Sequence, residues 1–240
     1  MDKSSNKKVL EVKNLFVRFG DDLIIDNLSF DVAKGEHLTI IGPNGSGKTT
    51  LFRALIDTIP HQGEVIWALD TIIGYIPQKL DIERNVPLSL YDFLQSKNSG
   101  LKGIGDGEIK DCLKLVNLPE DILGKPLGAL SGGQFQRALV TFALIGSPTV
   151  LLFDEPTAGI DQPSEEQIYD TLHRLQDERG VTIITISHDL SLVHRHAHKV
   201  LCLNRRKICY GLPEEVLDKQ TLSRLYGTEH HKFFHHIHDK

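Results

Sequence analysis

Residues Gly42, Pro43, Asn44, Gly45, Ser46, Gly47, Lys48 and Thr49 follow the apolar run Leu38 to Ile41 and precede the helical stretch Thr50 to Ile56. They fit G-x-x-x-x-G-K-[ST] in the strand, loop, helix context that this pattern needs to cradle a phosphate. The glycines let the backbone turn its N–H groups inward, and the helix N-terminus adds the positive end of its dipole. In such a loop the lysine holds the β- and γ-phosphates of a nucleotide, and the Thr49 hydroxyl coordinates Mg²⁺. A chain built around this element is expected to be an α/β protein.

The rest of the chain agrees. Val9 to Val12, Ile24 to Phe30, His37 to Ile41, Thr149 to Phe153, Val181 to Ile186 and Val200 to Leu203 read as strands. Helical spacing lies between several of them, as at Ile168, Leu172 and Leu175, where Ser164 and Gln167 read as a capping box and Gly180 as a stop. From Leu88 to about Leu144 the pattern is helical, broken by Ser99 to Gly107, Pro119, Pro126 and Gly128. This predicts a helical lobe inserted into an α/β core. The expected organisation is a core of residues 8–87 and 145–228, a lobe of about 88–144 and a His-rich tail at 229–240.

With 240 residues, the chain bounds one domain, or one core with a small lobe. Its formal charge of −5 argues against nucleic acid, which selects for clustered Lys and Arg. No stretch approaches the roughly 18 to 20 apolar residues of a membrane span, and the N-terminus lacks the apolar segment of a secretory signal. A cytosolic protein is expected. Cys112, Cys202 and Cys209 have no C-x-x-C spacing and read as reduced thiols, mostly in the core.

Val150 to Phe153 forms a buried strand that delivers Asp154 and Glu155 at its C-terminal end, where α/β sheets place ligand chemistry. Asp154 is suited to the magnesium shell and Glu155 to polarising an attacking water. Twenty residues before Asp154 stands Leu130-Ser131-Gly132-Gly133-Gln134, followed by helical Phe135 to Leu144. Ser131 reads as the N-cap of that helix, followed by paired glycines.

On these motifs the chain resembles the ATP-binding-cassette (ABC) ATPases over about residues 8 to 226. The resemblance implies a P-loop NTPase core with an antiparallel β subdomain and the inserted helical lobe. It implies that ATP and Mg²⁺ are bound, and that Ser131, Gly132, Gly133 and Gln134 close over ATP held by a second copy of the chain. Gln78, after Gly74 to Pro77, matches the glutamine that senses magnesium and links core to lobe. His188, in Ile186 to Asp189, matches the switch histidine that contacts the γ-phosphate. Asp161 occupies the D-loop position at the dimer seam, and Phe19 the aromatic position that stacks on adenine. Catalysis would fall to Glu155, His188, Lys48 and Gln78, magnesium to Thr49, Gln78 and Asp154, and nucleotide binding to the phosphate loop through Thr50.

Within the family, the stretches Ile73 to Leu80, Pro87 to Leu90 and Val200 to Asn204, and the His-rich end, are similar to ATPase subunits of bacterial metal importers, particularly zinc-uptake systems. That implies a peripheral protein on the cytoplasmic face of the inner membrane. It would be bound to permease subunits beside Gln78 and Leu88 to Leu94, and would serve indirectly a metal-binding extracytoplasmic protein. Manganese or iron is the alternative cargo. A soluble cassette ATPase of iron-sulfur assembly, or a clamp that binds ATP without turnover, are the other readings. The tail histidines His230, His231, His235, His236 and His238 offer neutral imidazoles to Zn²⁺ but do not define a tetrahedral site.

Overall fold

The structure, a computed structural model, describes residues 7–78, 87–97, 105–155 and 162–227. These divide into two compact units, one drawn from Met1–Leu69 with Ile184–Lys240 and the other from Asp70–Ile183.

In the first unit, β1 (Lys8–Phe19), β2 (Asp22–Ala33) and β4 (Gln62–Trp67) make an antiparallel sheet in the order β2-β1-β4. One face of β1 and β2 supplies buried Leu10, Val12, Leu15, Val17, Ile25, Leu28 and Val32. This alternation is the signature of a sheet with one wet face. β3 (His37–Ile41) is buried at every position and pairs in parallel with β8 (Lys199–Asn204), which turns back into antiparallel β9 (Arg206–Gly211). Strands buried on both faces read as near-continuous apolar runs, which is why β8, and β3 with only His37 and Thr39 polar, are legible in the sequence. β7 (Thr182–Ile186) begins in the second unit and ends in the first, where Thr185 Oγ1 lies 3.0 Å from Thr39 Oγ1 of β3. Helices α1 (Lys48–Leu55), α6 (Leu190–His196), α7 (Pro213–Val216) and α8 (Lys219–Tyr226) complete this unit.

In the second unit, β5 (Ile73–Ile76) and β6 (Val150–Asp154) pair in parallel from Ile73 opposite Val150 to Ile76 opposite Phe153. Gly74 is required by packing, because a Cβ there would lie 2.6 Å from the Ala143 carbonyl oxygen. Around them stand α2 (Leu90–Ser96), α3 (Asp106–Leu115), α4 (Gly132–Leu144) and α5 (Gln162–Arg179). Phe93 of α2 and Phe142 of α4 stack with centroids 4.7 Å apart, so an aromatic pair joins the two helices. The fold is α/β, with parallel strands, a separate antiparallel sheet and a helical insertion, as expected.

Two local expectations are corrected. α5 begins at Gln162, so Ser164 lies inside the helix, and Gln167 accepts a hydrogen bond from Arg137 instead of closing a capping box. The stop at Gly180 holds, with φ at +63°. Cys202 and Cys209 are joined in a disulfide, against the expectation of reduced thiols. The β8–β9 hairpin places them opposite one another with Cα atoms 4.8 Å apart, a proximity that sequence spacing alone does not reveal. Cys112 is free and buried, and desolvation pushes its thiol up to about 11.

Candidate functional site

The phosphate loop leaves the C-terminal end of β3 and enters α1, whose N-cap, Gly47, has φ +100°. Gly45 at φ +76° gives a second left-handed position, so both residues suit a backbone that turns N–H groups toward one point. At Gly42 the constraint is space: a Cβ would lie 2.0 Å from the Leu203 carbonyl oxygen of β8. Lys48 is almost wholly buried and donates to the carbonyls of Gly42, at 2.9 Å, and Pro43, at 3.1 Å. The Ser46 hydroxyl is buried without a hydrogen-bond partner among the described residues. A buried hydroxyl in that state loses hydration without replacement, so an oxygen-rich anion at the loop would supply what it lacks. Thr49 and Thr50 are half-buried on the first turn of α1, and Asn44 is exposed.

The loop rests on groups that carry no motif. Arg205, at the tip of the β8–β9 hairpin with φ +61°, donates its N–H to the Ser46 carbonyl at 3.0 Å and accepts from the Asp26 N–H at 2.8 Å. Tyr226, at the end of α8, packs against the buried cluster that holds Ile41, the residue before the loop. Neither contact has a local sequence signal, because each joins segments far apart in the chain.

Also in the first unit, β7 leads into His188, which is exposed. Asp189 beside it caps α6 by accepting from the N–H groups of Ser191 and Leu192 at 2.7 and 3.2 Å. The cap fixes where the chain turns after β7, and so where the histidine stands. Phe19, at the end of β1, is 48% exposed, an uncommon placement for a large aromatic ring and one that leaves it open to stacking.

In the second unit, β6 ends in Asp154, 1% exposed, followed by half-buried Glu155. Glu155 has φ +52°, a conformation that costs a non-glycine residue of order 1 to 3 kcal/mol and tends to mark functional positions. The Gln78 side-chain amide, just beyond β5, donates to the Glu155 carboxylate. The structure therefore brings together two residues predicted separately from distant motifs. The Asp154 carboxylate and the Gln78 side-chain amide of this unit offer hard oxygen donors of the kind Mg²⁺ prefers.

Ser131 is the exposed N-cap of α4, in a reciprocal capping box: its hydroxyl accepts from the Gln134 N–H at 3.2 Å, and the Gln134 side-chain oxygen accepts from the Ser131 N–H at 3.1 Å. Gly132 is exposed and Gly133 buried. Asp161 and the tail histidines lie outside the described residues. Among the described residues no group of three or more His, Cys, Asp or Glu side chains is disposed to hold a metal ion, and no helix is long and apolar enough to cross a membrane.

Comparison with known proteins settles the family. The ABC transporter family matches residues 25–158, more than half of the chain. The chain belongs to the ABC transporter family. The zinc import ATP-binding protein ZnuC of Jannaschia sp. (strain CCS1) is 39% identical over 224 residues, covering 92% of this chain and 89% of the relative. The ZnuC of Roseobacter denitrificans is 37% identical over 221 residues, covering 92% and 85%. Among solved structures, cbiO1 from Clostridium perfringens, part of the ABC transporter complex cbiONQ, superposes with a TM-score of 0.77 at 26% identity, over 91% of this chain and 94% of that one. The matched residues 25–158 include the loop at Gly42 to Thr49, the acids at the end of β6 and the capped helix start at Ser131.

Proposed function

We propose that the chain hydrolyses ATP and uses the energy to drive import of a divalent metal ion, zinc first, through membrane permease subunits. The observation that carries the ATP reading is the glycine-shaped loop that holds the Lys48 ammonium on the Gly42 and Pro43 carbonyls and buries a Ser46 hydroxyl without a partner among the described residues. The N–H groups of the loop and Lys48 bind the triphosphate, and Phe19 stacks on the adenine. Thr49, Asp154 and Gln78 would hold Mg²⁺, which supplies charge neutralisation on the phosphates. Glu155 orients and polarises the attacking water, with Gln78 restraining its carboxylate, and His188 stabilises charge developing on the γ-phosphoryl group. Ser131, Gly132, Gly133 and Gln134 of a second copy close the site, with Asp161 at the seam, so turnover needs a dimer.

Zinc is supported by the names of the relatives from Jannaschia and Roseobacter. Manganese or iron import remains the alternative cargo, and the tail histidines are a candidate Zn²⁺ buffer. The protein would lie peripherally on the cytoplasmic face of the membrane, bound near Gln78 and Leu88 to Leu94, and would serve a metal-binding extracytoplasmic protein.

Glu155→Gln tests the mechanism. It should retain ATP binding, cut turnover by about 100-fold or more and trap an ATP-dependent dimer visible by light scattering. Unchanged turnover would remove Glu155 from its role. Copurification of the permease, followed by turnover measured with a zinc-loaded or manganese-loaded binding protein, decides the cargo.

A further inference from the structure

The Cys202–Cys209 disulfide lies beside the phosphate loop. Cys202 of β8 stands in register with Ile41, the last residue of β3, on one side and with Cys209 of β9 on the other. The next residue, Leu203, closes on the loop, its carbonyl oxygen filling the space that a Cβ on Gly42 would need. Arg205, at the hairpin tip, donates its N–H to the Ser46 carbonyl at 3.0 Å and accepts from the Asp26 N–H at 2.8 Å. The Arg206 guanidinium meets the Asp26 carboxylate at 3.2 Å. The loop therefore rests, at Gly42 and at Ser46, on residues one and three positions beyond Cys202.

The pairing of β8 with β9 slips by one residue between Cys202 and Leu203, where Ile208 is the extra residue on β9. Such a bulge interrupts the backbone ladder, so the tip is tied less firmly by its own pairing than in a regular hairpin. The covalent bond spans the base of that tip. In the dithiol form the two sulfurs retreat to van der Waals separation. Cys202 is fully buried with Ile41, Val193, Val200 and Leu225, and β3 holds its strand, so Cys209, β9 and the tip take up the movement. Cys209 is half-buried and is the member open to attack. A thiolate from a monothiol of the glutathione class attacks Cys209 Sγ, forms a mixed disulfide and expels Cys202 as a thiolate, which takes a proton. A second thiolate attacks the monothiol sulfur of that mixed disulfide, gives the small-molecule disulfide and expels Cys209, which takes the second proton. The pair gains two electrons and two protons as two monothiols are oxidised to one disulfide.

On the reading that the loop binds ATP, we propose that Cys202 and Cys209 form a thiol–disulfide switch on nucleotide affinity. The bonded form holds the β8–β9 tip against Gly42 and Ser46; the dithiol form loosens the tip and weakens ATP. Compartments that keep thiols reduced carry disulfides chiefly as transient or redox-sensing bonds, which suits a bond placed on the support of a binding loop.

The test uses the full chain equilibrated in glutathione or in glutathione disulfide, with the bond followed by alkylation and mass mapping and affinity read with fluorescent N-methylanthraniloyl ATP. Kd of the dithiol form should be about threefold to tenfold higher, the range that one hydrogen bond supports, and should return to its first value on reoxidation. The Arg205 and Asp26 amides should exchange with solvent faster in the dithiol form, while circular dichroism stays unchanged. Cys209→Ala, which leaves buried Cys202 in place, should bind with the Kd of the dithiol form under both conditions, and so should Cys202→Ala combined with Cys209→Ala. Equal, tight binding by the bonded and dithiol forms would overturn the switch and leave the ATP reading standing. A redox response that persists in Cys209→Ala, or a dithiol form that unfolds, would also overturn the switch. Binding in neither form would overturn the ATP reading together with it.

Discussion

Replacing Gly42 by alanine isolates how tightly the phosphate loop is built. The added methyl would lie 2.0 Å from the Leu203 carbonyl oxygen and 2.8 Å from the Ser46 hydroxyl. A methyl needs at least about 3.0 Å from such an oxygen, so something must retreat by about 1 Å. Leu203 belongs to β8, which is paired on both edges and buried from Val200 to Leu203, so the loop is the part that yields. Overpacking of this kind costs about 1 to 3 kcal/mol. For a chain of this size that lowers the melting temperature by roughly 2 to 12 °C. The catalytic effect should be larger than the stability effect, because the displaced carbonyl is the one that Lys48 holds at 2.9 Å. A misplacement of 1 Å near reacting groups can cost about 100-fold in rate. Phosphate release, assayed colorimetrically with saturating Mg²⁺ and varied ATP, should therefore show kcat/KM down by about 100-fold. Gly45→Ala is the control, since a Cβ there meets nothing within 4 Å and bears only the strain of φ +76°. Gly42→Ala within threefold of Gly45→Ala in both melting temperature and kcat/KM would refute the reasoning.

Other outcomes follow from single contacts. Ser131→Ala should destabilise the chain by about 1 kcal/mol and Ser131→Gly by only a few tenths, since both lose the cap but glycine tolerates that position. If the hydroxyl serves the nucleotide, the two should lose turnover equally, and a turnover loss that followed melting temperature would reduce Ser131 to a helix cap. Thiol titration of the denatured, unreduced chain should find one reactive group, and three after reduction; three before reduction would remove the Cys202–Cys209 bond. Cys112, with its thiol pushed up to about 11 by burial, should alkylate slowly in the native protein at pH 8 and about tenfold faster per added pH unit up to that value. Because the folded state holds this proton more tightly than the unfolded chain, its contribution to stability is fully present below pH 9 and is lost as pH rises toward 11. Equal melting temperatures for Cys112→Ser and the parent across that window, after correction for their difference at pH 7, would remove the linkage. An alkylation rate that levels off near pH 9 would mean that the thiol is not desolvated.

Much of this chain is written locally. β3, β6, β7 and β8 are buried on both faces, so each carries a mostly apolar run, broken in β3 and β7 only by buried His37 and threonines, that is visible without any partner. The phosphate loop, the acids after β6 and the Ser131 cap are equally local, because their chemistry depends on neighbours one to five residues away. β4 and β9 escaped because most of their residues are exposed or half-buried, leaving no apolar alternation, and β5 because it is only four residues long. α5 started earlier than its capping pattern predicted, and Gln167 took a partner from α4 instead of its own first turn.

What only the tertiary structure decided is where distant groups meet. The strand pairing that set Cys202 opposite Cys209, the amide that ties Gln78 to Glu155 and the backbone bonds of Arg205 to Ser46 and Asp26 all join segments that no short pattern relates. Periodicity records which face of an element is buried, but not which element covers it; that choice is made by packing over the whole chain.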